Sequence, residues 1–134
     1  MPDEVFDGFD HALYRDEVIA RWGEDAYERG DRWWSALSDD EKETHRRAQA
    51  EIAVAYASAL GDGKSAASDD VQAITRRHAE WLSRAVQPSK DYLLGLGEMS
   101  VSDPRFAANY EKHRPGTAAF VRDAMAIYAD RHYA

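Results

Sequence analysis

Apolar residues recur along this chain every three or four positions, the spacing of one face of an α-helix, and no run reads convincingly as a strand. Tyr14, Val18 and Trp22 form a first stripe, with Asp10 as its N-cap and Gly23 as its stop. The acidic leader before it, residues 1–10, has Phe6 and Phe9 as its strong anchors and is expected to be extended or mobile. A second helix is expected from about Glu24 to Leu37. Ala26, Trp33 and Leu37 share one line, Tyr27 and Trp34 the next, and Gly30 weakens the middle. Ser38 and Glu41 stand at capping-box spacing and open a third helix, which runs to about Leu60 and closes at Gly61. Its first half is charged. Its second half is alanine-rich, with Ile52, Val54, Tyr56 and Leu60.

After a loop over 61–67, Ser68 caps a fourth helix whose inner face is Val71, Ile74, His78, Trp81, Leu82 and Ala85. Gln87-Pro88 breaks it and Ser89 caps the fifth. Asp103-Pro104, an N-cap followed by proline at the first helical position, starts another, with Phe106 and Tyr110 inward. It ends at Arg114-Pro115-Gly116. The last helix, Thr117 to about His132, is apolar nearly all round and belongs deep in a core. Six or seven helices of uneven length define an all-α class. The unevenness disfavours a regular four-helix bundle and favours a globin-like, orthogonal arrangement around a buried last helix.

The stretch from Leu93 to Phe106 is the least ordinary. On a helical wheel Tyr92, Leu96 and Met99 form one stripe and Leu93, Gly97 and Val101 a second. The remaining face holds Asp91, Gly95, Glu98 and Ser102, so this helix is expected to be gripped on two sides and open on a third. Glycine inside a helix costs roughly 0.5–1 kcal/mol against alanine. Two in three residues imply close approach, either by a neighbouring helix or by a ligand.

Composition narrows the function. A chain of 134 residues suits one domain with one core. The net charge of -8 argues against direct nucleic-acid binding, because phosphate neutralisation needs clustered Lys and Arg. With no cysteine there is no disulfide, no thiolate metal site and no cysteine nucleophile. No apolar run is long enough to span a membrane, and no signal peptide is visible, so a cytoplasmic protein is expected. The five histidines make no HExxH or ExxH pair, so no metal site is expected. His78 on an apolar face reads as a hydrogen-bonded core residue or a polar contact in a pocket. Haem is not expected, nor any other cofactor. Glu98 sits amid apolar residues, where a carboxylate pairs with an arginine, caps a neighbouring helix, contacts a ligand or acts as an acid of raised pKa. No nucleophile elbow or phosphate-cradling loop occurs, and no enzyme is expected. The aromatics are the more promising material. Trp33 and Trp34 lie 100° apart and cannot both point inward, and Trp81 and Tyr92 face each other if their helices pack antiparallel.

Phe6-Asp7-Gly8-Phe9-Asp10, Arg21-Trp22-Gly23, Leu96-Gly97-Glu98-Met99 and Val101-Ser102-Asp103-Pro104-Arg105-Phe106, with Arg114-Pro115-Gly116 and Arg122-Asp123-Ala124, occur in an order that resembles the TipAS family, the antibiotic-recognition domain of TipA-type MerR regulators. The resemblance implies a haem-free globin-like fold that binds thiopeptides or other bulky antibiotics in a cleft between helices. It also implies N-terminal helices that are flexible when empty. In the full regulators a winged helix-turn-helix and a coiled-coil helix precede the domain. This chain is therefore expected to be a stand-alone drug-sequestering protein or part of a regulator. Covalent capture in the family uses a cysteine just before the LGEM motif. Gly95 stands there in this chain, so reversible binding is expected.

The expectation is a single domain, with residues 1–60 as mobile lid helices and 68–132 as a rigid core, binding a small-molecule antibiotic as a monomer without nucleic acid or membrane. The lining is expected to be Trp33, Trp34, His78, Trp81, Tyr92, Gly95, Glu98 and Met99. The alternative is a protein-interaction or dimerisation module with no small ligand.

Overall fold

A computed structural model describes residues 15–85 and 88–133, and the chain divides into two compact units, one up to Arg47 and one from Ala48. The expected N-cap Asp10, the anchors Phe6 and Phe9, and Tyr14 of the first stripe lie outside the described residues. The described residues form seven α-helices: α1 Arg15–Trp22, α2 Glu24–Ser35, α3 Asp39–Gly61, α4 Asp69–Leu82, α5 Lys90–Ser102, α6 Pro104–Glu111 and α7 Thr117–His132. No strand is found among them. The class is all-α, as the spacing of apolar residues implied, and the fold is globin-like.

In the first unit, α1 packs on α2 across Gly23, whose φ of 95° turns the chain in one residue. No residue of α2 is fully buried. Trp33 and Trp34, both half-buried, lie with ring centroids 6.2 Å apart, and both meet the His45 ring edge-on, at 4.9 and 5.8 Å. The two indoles thus share one histidine, although their helix positions diverge. Ser38 and Glu41 close the capping box at the start of α3. The Glu41 amide donates to Ser38 Oγ at 3.1 Å and the Ser38 amide to Glu41 Oε1 at 2.8 Å.

The second unit contains the rest of α3 and helices α4–α7. Its core includes Tyr56 from α3, Val71 from α4, Leu93 and Met99 from α5, and Val121 and Met125 from α7. The helix starts follow from local chemistry: Ser68 accepts from the Val71 amide, Ser89 from Tyr92 and Asp103 from Arg105. Helix α7 has no side chain of its own at the cap, because Gly116 stands there with φ 93°. The carboxylate of Glu111 reaches across the turn instead, accepting from the Gly116 amide at 2.9 Å and the Ala118 amide at 2.8 Å. Gln72 ties the loop before α4 to α7 by donating from Nε2 to the carbonyls of Ala66 and Ala124.

Helices α5 and α7 share the most extensive packing, and Gly97 lies within it. A Cβ at this position would stand 3.4 Å from Arg122 Cα, so the missing side chain lets the backbone of α7 come into contact. Of the two readings for this glycine, a neighbouring helix is what the fold places there. No described helix is long and apolar enough to cross a membrane.

Candidate functional site

Helix α5 separates cleanly into a held side and an open side. Leu93, Leu96, Gly97, Met99 and Ser100 are buried. Asp91, Leu94, Glu98, Val101 and Ser102 are exposed, with Gly95 half-buried beside them. At 100° per residue the exposed set occupies one arc of about 100°. The expected open face is therefore present and wider than its sequence pattern suggested. Val101, expected in a packing stripe with Leu93 and Gly97, is 38% exposed, and Leu94 is 36% exposed. Both fall at one edge of the arc. Glu98 lies in the middle of it, exposed to solvent.

On the held side, His78 of α4 is 2% exposed and belongs to the core. Its Nδ1 is 3.0 Å from the Tyr56 hydroxyl, which lies 3.2 Å from Thr75 Oγ1, which in turn donates to the Val71 carbonyl at 3.0 Å. Each hydroxyl has one proton, so the three bonds coexist when Tyr56 donates to Thr75 and His78 donates from Nδ1 to Tyr56. The ring is then neutral, and burial pushes its pKa down to about 4. Burial also pushes the phenols of Tyr92 and Tyr110 up to about 12.

A narrow fissure with no room for even a water molecule lies between α4, α5 and α7, lined by Thr75, His78, Ala79, Leu93, Met125 and Tyr128. Drug-sized ligands occupy pockets of roughly 300–1,000 Å³, so this fissure is too small for a bulky guest. The expected lining residues accordingly separate. His78, Trp81 and Met99 are buried core, with the His78 and Trp81 rings 6.1 Å apart. Tyr92 and Gly95 are half-buried and Glu98 is exposed along α5, while Trp33 and Trp34 belong to the first unit. Leu94 and Val101 complete the open arc and were missed by the wheel. No group of three or more His, Cys, Asp or Glu placed to hold a metal ion occurs among the described residues.

Comparison with known proteins gives this arrangement a lineage. Residues 14–128 match the family model of the TipAS antibiotic-recognition domain. The HTH-type transcriptional activator TipA of Streptomyces coelicolor is 34% identical over 96% of this chain and 52% of its own length. The HTH-type transcriptional regulator SkgA of Caulobacter vibrioides is 29% identical over 93% of this chain and 52% of its own. The chain spans about half the length of these curated relatives. A solved structure of TipAS from Streptomyces lividans in complex with nosiheptide, from a thiopeptide antibiotic multidrug resistance system, superposes with a TM-score of 0.83 at 30% identity. That match covers 98% of this chain and 93% of the other. This chain belongs to the TipAS antibiotic-recognition domain family.

Proposed function

We propose that this chain binds a bulky, thiopeptide-like antibiotic reversibly and without chemical turnover, using the open arc of α5 as part of the contact surface. The observation that carries the reading is the match, along nearly its whole length, to a domain solved with nosiheptide bound. The arc supplies what such a ligand needs from a receptor: exposed apolar groups at Leu94 and Val101, a position without a side chain at Gly95 and a hydrogen-bonding carboxylate at Glu98. With no cysteine anywhere in the chain, capture by thiol addition is chemically closed. Ordering of α1 and α2, the latter with no fully buried residue, accompanies binding and consumes part of its free energy. The domain serves as the effector-sensing part of a transcriptional regulator or as a drug-sequestering protein.

The test is titration with nosiheptide, following Trp fluorescence and thermal stability together. Binding raises the melting temperature in proportion to the logarithm of ligand concentration. A flat response at concentrations far above micromolar, across nosiheptide and several other thiopeptides, removes the reading.

A further inference from the structure

Leu94, Glu98 and Val101 stand at i, i+4 and i+7, a single line about 10 Å long on the exposed arc of α5. Two exposed apolar side chains thus bracket a carboxylate one turn away on either side. Exposed apolar residues occurring singly are normal on a protein surface. Here they share a line with a charge, and that charge has no counterion among the described residues. The basic side chains on and beside α5 are already paired elsewhere. Lys90 lies 3.4 Å from Asp130, Arg105 is 3.2 Å from Asp103, and Arg122 is 3.1 Å from Asp123. Glu98 and Asp91, on the same arc, have no ion pair among the described residues.

From this we infer that the arc selects ligands carrying a positive charge on an apolar body, with Glu98 as the specificity-determining residue. The inference rests on the antibiotic-binding reading and adds the charge class to it. The chemistry is complementary at both ends. Leu94 and Val101 offer area to a flat or greasy framework, and Glu98 meets a cationic nitrogen or phosphorus between them. An anionic guest of the same shape would bring its charge against two uncompensated carboxylates, which costs affinity. The contact is at the rim, in solvent, so its contribution is modest and screened by salt.

Two ions of nearly equal size and opposite charge test this: tetraphenylphosphonium and tetraphenylborate, titrated calorimetrically into the full chain, with nosiheptide in parallel. The net charge of -8 favours any cation, so a control removes the same charge elsewhere, at exposed Glu51 on α3. The expected result is tighter binding of the phosphonium than of the borate. Glu98→Gln then weakens the phosphonium about three- to fivefold, in line with a rim ion pair, while Glu51→Gln leaves it unchanged. High salt removes the difference between wild type and Glu98→Gln. Equal binding of the two ions overturns the inference. So does an equal effect of the two substitutions, and so does binding of nosiheptide but of neither ion, which leaves the antibiotic reading standing. Failure of nosiheptide as well removes both.

Discussion

The Tyr56 hydroxyl lies 3.0 Å from His78 Nδ1 inside the second unit, joining α3 to α4 through two fully enclosed polar side chains. Replacing Tyr56 with Phe keeps the ring and removes the bridge. A buried imidazole N–H is then left without an acceptor, which costs about 1–3 kcal/mol. Urea unfolding of Tyr56→Phe is expected to show that loss as a lower midpoint with an unchanged slope.

The same histidine sets a pH dependence. Its pKa is about 4 folded against an ordinary 6.5, so between those values the unfolded chain binds the additional proton. Stability from this group is therefore full above about pH 6.5 and is lost as pH falls through about 4. At about 1.4 kcal/mol per pH unit the loss amounts to roughly 3 kcal/mol. Urea midpoints at pH 7 and pH 4.5 are expected to differ in the wild type, and the difference is expected to shrink in His78→Gln.

Glu111 gives a second acid-sensitive contact, of different origin. Two backbone amides hold its carboxyl below the ordinary carboxylate range. Its contribution is present above the ordinary glutamate pKa and disappears as pH falls through the depressed folded value. Glu111→Ala is expected to destabilise by about 1 kcal/mol, the usual worth of an N-cap. Hydrogen exchange is expected to quicken at the first turn of α7.

Gly97 discriminates between sizes of side chain. The Cβ of Gly97→Ala meets Arg122 Cα at 3.4 Å, a bare van der Waals contact, and helix propensity returns roughly 0.5–1 kcal/mol, so near-neutral stability is expected. Gly97→Leu has no room and is expected to lose about 1–3 kcal/mol. Thermal melts of the pair check this.

On the open arc the effects reverse in kind. Leu94→Ala and Val101→Ala are expected to cost less thermal stability than truncations in the core, because these side chains are 36% and 38% exposed. Each is expected to weaken nosiheptide binding, by about 1 kcal/mol or roughly fivefold, from lost apolar contact.

How far the chain could be read depended on the reach of each interaction. The caps at Ser38, Ser68, Ser89 and Asp103 were legible because donor and acceptor stand two or three residues apart. Glu111 was not, because it caps a helix from the far side of a turn, five and seven positions away. Thr75 and Ser100 were overlooked as core residues. Their hydroxyls bond to the carbonyls of Val71 and Leu96 in their own helices, so they need no polar surroundings and leave no mark on the hydrophobic pattern. His78 was correctly turned inward, yet its partner lies 22 residues away and no spacing rule finds it. The open side of α5 was foreseen in its middle and misjudged at its edge. The wheel ranks directions, whereas exposure at Val101 depends on which neighbours the fold packs there.

That contact has a mechanical meaning for any guest. With Gly97 seated on the backbone of Arg122, α5 rests at that turn on main chain in place of a flexible side-chain layer. A molecule held on the open arc, as proposed, is backed there by main chain. Adaptation to guests of different outline then falls to the guest and to less densely packed parts of the chain.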